Sequence, residues 1–304
     1  MTSTSAPVAG REYRTLKGEV SLFLWRKRHQ SAQSESAENR SAVPLLLVHG
    51  SSLSALPTFD LTVPGHPDYS FMDWLARRGH DVWTLDHEGY GRSTLTAGNA
   101  DVACGVADLE VAVEFVRRET GAGAVNLYGL SSGALRAAGY AEAAPANVAR
   151  LVLDGFVWTG EGSATLARRR EGIESFRAGN RRPISRAFIE GIFTRDHPGT
   201  SEPAVMTACA EAQLAHGDSV PTGTYLDMTT RLPLADPARI AAPTLVVRGE
   251  YDGIATEEDL AAFFVRLPNP DKQFSVLPGL AHVTPLGTRR HRLWQAVDTY
   301  LKAG

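Results

Sequence analysis

The feature that most constrains this chain is a repeated alternation of short apolar runs with stretches of helical period. Pro44-Leu-Leu-Leu-Val48, Asp81-Val-Trp-Thr-Leu-Asp86, Ala124-Val-Asn-Leu-Tyr128, Arg150-Leu-Val-Leu-Asp154, Pro243-Thr-Leu-Val-Val-Arg248 and the segment Lys272 to Leu277 are the runs. Runs of this kind, apolar on consecutive residues, predict strands buried on both faces, as in a parallel sheet covered by helices. The segment Glu19 to Trp25 alternates instead and predicts a further strand. Between the runs, Phe71 to Arg78 stops at Gly79, and Val102 to Arg118 repeats apolar residues at Val106, Leu109, Val113 and Val116. Ser132 to Ala144 is small and Ala-rich, as a helix packed closely on a sheet would be. Glu257 to Val265 and Arg289 to Leu301 complete the set of predicted helices. Strand and helix in alternation imply right-handed crossovers and an α/β fold with a mostly parallel sheet and helices on both faces.

The rhythm breaks after Asp154. Residues 157–235 read as helices and loops rich in Arg and Ala, with no buried-strand run, so they form an insertion into a core made of residues 1–156 and 236–304. Residues 1 to 10 read as a frayed end, and the polar run Gln30 to Ala42 as a loop. A chain of 304 residues can bury a full core without disulfides or metals. Its net charge of -3 argues against nucleic acid as a partner, because phosphate binding needs a basic surface. Cys104 and Cys209 stand far apart in no metal-binding or redox spacing and are expected to be reduced, buried apolar groups. The opening ten residues lack the charged and apolar regions of a secretory signal, and no run of about 18 apolar residues occurs, so a cytoplasmic protein with no membrane contact is expected.

Chemistry concentrates at Gly129-Leu130-Ser131-Ser132-Gly133, a G-x-S-x-G sequence between an apolar strand and a small-residue helix. A strand turning sharply into a helix holds its middle residue in a strained conformation, and small flanking residues avoid the resulting clash. Centring the turn on Ser132 would put Leu130 where a small residue is needed. Ser131 is therefore the candidate nucleophile, at a helix N-terminus whose dipole and free N–H groups favour a developing anion.

A serine hydroxyl needs an adjacent base, itself held by a carboxylate. With a serine elbow, these follow later in the chain, on loops beyond the carboxyl ends of strands. Leu277-Pro-Gly-Leu-Ala-His282 supplies His282 shortly after the last strand, and Val246-Val-Arg-Gly-Glu-Tyr-Asp252 supplies Asp252 after the one before it. Asp154, at the end of the strand following the nucleophile helix, competes as the acid, with Glu250 behind it. An oxyanion hole needs two converging backbone N–H groups. Ser132, next after the nucleophile, gives one, and Ser51 in His49-Gly50-Ser51-Ser52 gives the other.

Together, His49-Gly50, the turn Asp86-His-Glu-Gly89-Tyr-Gly91-Arg-Ser93, the elbow at Ser131 and the loops of Asp252 and His282 resemble the α/β-hydrolase superfamily over about residues 20 to 303. The resemblance implies an eight-stranded sheet, no cofactor and no metal, and a cap inserted after the sixth strand, where residues 157–235 fall. Asp86 and Arg92 would stabilise their turn. Dehalogenase-like and epoxide-hydrolase-like members carry Asp at the elbow, so Ser131 implies acyl transfer to water from a small-molecule ester. Lactones, thioesters and carbon–carbon bonds are open alternatives, as is a binding role without catalysis.

Specificity would then lie in the cap. Arg168, Arg169, Arg170, Arg177, Arg181, Arg182 and Arg186 outnumber Glu171 and Glu174 there. Such a run is ordinarily a solvated helix face, but one or two could pair with a substrate carboxylate, as in a half-ester. Phe59, Phe71, Trp158, Phe188 and Phe193 are candidates for an apolar pocket or for plain core. No heptad or exposed stripe marks an interface, and a monomer or homodimer fits equally.

Overall fold

A computed structural model describes residues 8–29 and 43–303. Eight strands form one sheet: β1 (Val8–Lys17), β2 (Val20–His29), β3 (Leu45–Val48), β4 (Val82–Leu85), β5 (Val125–Leu130), β6 (Val148–Asp154), β9 (Thr244–Gly249) and β10 (Lys272–Leu277). The short β7 (Arg181–Pro183) and β8 (Ser219–Pro221) pair separately. The sheet order is β1-β2-β4-β3-β5-β6-β9-β10, and β2 alone runs against its neighbours. All residues of β3, β4, β5 and β9 are buried, as strands covered on both faces require.

The helices are α1 (Ala55–Phe59), α2 (Phe71–Ala76), α3 (Val102–Thr120), α4 (Ser132–Ala143), α5 (Ala164–Glu171), α6 (Ile173–Arg177), α7 (Arg186–Thr194), α8 (Pro203–Leu214), α9 (Gly223–Thr230), α10 (Glu257–Arg266) and α11 (His291–Lys302). Their ends follow ordinary capping chemistry. Asp101 caps α3 by accepting from the Cys104 N–H, Gly121 closes it in the left-handed conformation, and Thr256 caps α10 ahead of three acidic residues. One buried layer joins α3, α4 and α10 to one face of the sheet, and a second joins α2 and α11 to the other.

The buried strands and the helices beside them fall within a few residues of their expected positions. Two expectations fail. Residues 8–10 belong to β1 rather than to a frayed end, and the whole of β1 was missed because Val8–Lys17 is a partly exposed, charge-rich edge strand. Within 157–235 the backbone makes the β7–β8 pair, too short to leave a hydrophobic pattern. The expected loop 30–42 lies outside the described residues, as do residues 1–7.

Candidate active site

At the end of β5 the chain reverses into α4, and Ser131 takes φ 58° and ψ −123°, a conformation that costs a non-glycine residue about 1–3 kcal/mol. Close packing holds it there. A Cβ on Gly133 would stand 2.2 Å from the Val48 carbonyl oxygen, and one on Gly129 would stand 2.5 Å from the Ala134 Cα, so both flanking positions exclude any side chain. The Ser131 N–H donates to the Asp154 carbonyl at 2.8 Å, tying the elbow to the end of β6.

The loops after β9 and β10 bring the next two residues to the elbow. Ser131 Oγ lies 2.9 Å from His282 Nε2, and His282 Nδ1 lies 2.9 Å from Asp252 Oδ2. These contacts fit a neutral imidazole that donates from Nδ1 to the carboxylate and accepts the serine O–H at Nε2. Asp252 Oδ1 accepts from the N–H groups of Ile254 at 2.8 Å and Ala255 at 3.2 Å. Burial alone would raise the Asp252 carboxyl, but His282 and these N–H donors outweigh it and hold it below the usual value.

Of the other two acids, neither contacts His282. Asp154 accepts the Tyr128 phenol at 2.5 Å and the Thr284 hydroxyl on one oxygen, while its Oδ1 is buried without a partner. Burial in that apolar setting, reinforced by the charge of Asp252, pushes its carboxyl up to about 7 despite those two donors. Glu250 accepts the Gly279 N–H at 2.7 Å and so ties the Asp252 loop to the His282 loop.

Ser51 and Ser132 also meet: Ser51 Oγ donates to Ser132 Oγ at 2.7 Å and accepts from Thr224 Oγ1 at 2.9 Å. Among the described residues neither the Ser51 nor the Ser132 N–H has a protein acceptor, which leaves both free for an oxyanion. The loop carrying Ser51 is held through its carbonyl, which accepts from Arg182 Nη2 at 2.9 Å and the Tyr90 phenol at 3.1 Å. Beneath it, His49 Nδ1 meets the Gly50 carbonyl at 2.8 Å, and His49 Nε2 accepts the His87 N–H at 3.1 Å. Acceptance at Nε2 requires a neutral imidazole with its proton on Nδ1, and burial holds His49 well below the usual histidine range.

The Asp86 turn is structural, as expected. The carboxylate accepts the N–H groups of Ala55 and Arg92, each at 2.8 Å, and Gly91 has φ 50° with no room for a Cβ against it. Arg92 itself reaches out to Glu12 at 3.3 Å. Cys209 is a buried thiol, whereas Cys104 is only half-buried and lies with Glu88 and Asp108 around the Lys17 ammonium. That ammonium sits where a cation held by Glu88, Cys104 and Asp108 would sit.

Ser131 and His282 open onto a cavity whose apolar wall is Leu53, Leu130, Ile192 and Val283. The five aromatic residues do not form it. Phe59, Phe71 and Phe193 are core, Trp158 packs on Phe263, and Phe188 lines a neighbouring hollow. Of the seven arginines in the basic run, Arg169 reaches the cavity. Arg177 pairs with Glu174 and Arg186 with Glu211 at the surface, and Arg181 ties β7 to Ser219 and to the Gly89 carbonyl. Arg195, which carried no local sequence signal, also lines the cavity, and Tyr225, which carried none either, lines the neighbouring hollow with Arg169 and Arg195.

A serine elbow at the carboxyl edge of a sheet in this strand order defines the α/β hydrolases, and this chain is one. Its residues 68–286 match the family model described as serine aminopeptidase, S33, and the chain belongs to that family of hydrolases. No curated protein matches its sequence. Solved structures share the fold. An esterase from Thermogutta terrifontis, with malate bound, is 21% identical at TM-score 0.67, over 96% of this chain and 98% of its own. An E-2-(acetamidomethylene)succinate hydrolase is 19% identical at TM-score 0.67, over 97% and 100%. The 2-hydroxy-6-oxo-6-phenylhexa-2,4-dienoate hydrolase of Rhodococcus sp. strain RHA1 is 17% identical at TM-score 0.68, over 98% and 100%. Among the described residues, no helix is long and apolar enough to cross a membrane.

Proposed function

We propose that this hydrolase cleaves carboxylic esters through an acyl-enzyme on Ser131, with residues 157–235 as a cap over the site. The observation that carries the reading is the continuous line Ser131–His282–Asp252, 2.9 Å at each step, facing a largely apolar cavity. Ser131 Oγ attacks the ester carbonyl and His282 Nε2 takes its proton. The Ser51 and Ser132 N–H groups receive the oxyanion that forms. On collapse, the C–O bond to the alcohol breaks and His282 protonates the leaving oxygen. Water then adds to the acyl-serine with His282 again as base, which releases the acid and restores Ser131. Asp252, low in pKa and fixed by two backbone donors, holds the imidazole tautomer and stabilises the imidazolium.

Four p-nitrophenyl esters, acetate, butyrate, valerate and octanoate, test this, with an aminoacyl p-nitroanilide alongside because the family is described by aminopeptidase activity. Wild type is expected to turn over at least one ester and to be labelled by a fluorophosphonate at Ser131. Ser131→Ala is expected to lose at least ~10⁴-fold in kcat/KM and all labelling. Preference for the anilide would replace esters by peptides as the substrate class. Neither turnover nor labelling by folded wild type would overturn the reading in favour of a binding protein.

A further inference from the structure

Around the Ser131 cavity and a hollow that adjoins it, the described residues carry more buried positive charge than they balance. Arg169 and Arg195 line both the Ser131 cavity and an adjoining hollow, and Arg182 and Tyr225 line that hollow with them. The guanidiniums are stacked rather than paired: Arg169 lies 4.1 Å and Arg182 3.8 Å from the centre of the Tyr225 ring. Among the described residues, the carboxylate that meets this group is Asp196, which takes Arg195 Nε at 3.2 Å. Buried N–H groups are left over on all three: Nη1 of Arg169, Nε and Nη1 of Arg182, and Nη2 of Arg195. Arg182 is only 6% exposed. Buried guanidinium donors are ordinarily paired, because a desolvated cation without a counter-charge is strongly unfavourable. Burial pushes Arg169 itself down to about 10.

The geometry points to an oxyanion-binding subsite formed by Arg169, Arg182 and Arg195, which holds a carboxylate or phosphate of the substrate at a distance from its scissile carbonyl. This rests on the ester-hydrolase reading and names its substrate class: esters whose acyl or alcohol part carries a second, anionic group. Guanidinium forks suit either oxyanion, since both accept two parallel N–H donors. Arg182 has a second task, because its Nη2 also fixes the Ser51 carbonyl at 2.9 Å and Ser52 Oγ at 2.8 Å. A bound anion would therefore touch the same side chain that positions the oxyanion loop.

The experiment compares p-nitrophenyl half-esters of succinate, glutarate and adipate with butyrate, valerate and hexanoate of matched length. Wild type is expected to favour at least one half-ester by ~10-fold or more in kcat/KM, mainly through KM. In Arg169→Gln the ratio of half-ester to neutral ester should collapse toward one, and Arg169→Lys should restore part of it. Glutarate and inorganic phosphate, tested as inhibitors of wild-type turnover of the neutral ester, distinguish the two sources. Stronger inhibition by glutarate assigns a carboxylate, and stronger inhibition by phosphate assigns a phosphate. Turnover of neutral esters with no half-ester preference and no inhibition by either anion would overturn the subsite while leaving the hydrolase reading intact. If wild type turns over no ester, thermal stabilisation by glutarate or phosphate, lost in Arg169→Gln, would sustain the subsite without the reaction. The absence of that stabilisation as well would sink both.

Discussion

The elbow and the arginine wall meet where the Ser131 cavity adjoins its neighbouring hollow, yet they are built on opposite rules. Around Ser131 the polar side chains are almost fully matched. Asp252 is filled by one imidazole and two backbone donors, and Ser51 Oγ gives one hydrogen bond and receives another. On the arginine cluster, Arg195 alone bonds the Asp196 carboxylate among the described residues, and Arg169, Arg182 and Arg195 all keep buried N–H groups without acceptors. Full matching fixes one geometry, which bond-making chemistry requires. Unmatched charge stores affinity for something absent from the fold. The difference therefore separates the place where bonds would change from the place where substrate would be chosen.

Removing one partner from the matched side should have the largest effect. Asp252→Asn keeps the shape but leaves the His282 tautomer without its acceptor. On a neutral p-nitrophenyl ester, kcat is expected to fall by ~10³–10⁴-fold with the folded protein retained. The same measurement on Asp154→Asn should show a loss of less than about tenfold, since Asp154 bonds Tyr128 and Thr284 rather than His282. Equal losses in the two variants would remove the distinction between a matched triad acid and its neighbour.

Asp154 is also the exception within the matched side, through its unpartnered Oδ1. Its folded carboxyl titrates at about 7, above the ordinary 3.8, so the unfolded chain loses this proton first as pH rises. The group's contribution to stability is then fully present below about pH 4, falls as pH rises toward 7, and is lost above it. At about 1.4 kcal/mol per unit, the whole effect is about 4 kcal/mol at most. Urea unfolding near pH 5 and pH 8 should show wild type losing stability relative to Asp154→Asn over that interval. Parallel curves would mean that Asp154 is ionised in the fold and that the matched side has no exception.

The same contrast decided what the sequence could reveal. The elbow was legible because its causes are local. Gly129, Ser131 and Gly133 lie within five residues, between a strand and a helix that each declare themselves by period. His282 and Asp252 were legible because β10 and β9 set their loops at fixed places along the sheet edge. Its place after the penultimate strand of the sequence favours Asp252 over Asp154 and Glu250, but all three end or follow strands, and it is the contact with His282 that separates them. On the arginine wall, Arg169, Arg195 and Tyr225 come from α5, the end of α7 and α9, which no periodicity brings together. The charge run pointed to the right segment but could not say that Arg177 and Arg186 stay at the surface while Arg169 turns inward. The edge strand β1 escaped for a related reason, because it is recognised by its pairing with β2 rather than by a pattern of its own.

The smallest effect tests whether the wall carries an internal substitute for its missing anion. Tyr225 lies against Arg169 and Arg182, with Ser52 Oγ 3.3 Å from its hydroxyl and the Phe176 ring edge-on to its own. Burial would raise its phenol, but the charges of Arg169, Arg182 and Arg195 outweigh that and bring it down to about 7. Below that pH the guanidiniums have no phenolate beside them and are open to a substrate oxyanion. Above it the phenolate forms among them and competes for the same charge. Protonation of Tyr225 and binding of an anionic ester are thus linked, each favouring the other. KM for a half-ester should rise with pH above about 7, by ~10-fold per unit at most, while KM for the matched neutral ester stays level. In Tyr225→Phe no phenolate can form, so the half-ester KM should be level across the same range and lower than wild type near pH 8.5. A wild-type KM for the half-ester that does not change between about pH 6 and about pH 8.5 would show that the wall's charge is not offset from within, and the contrast with the matched side would then be complete.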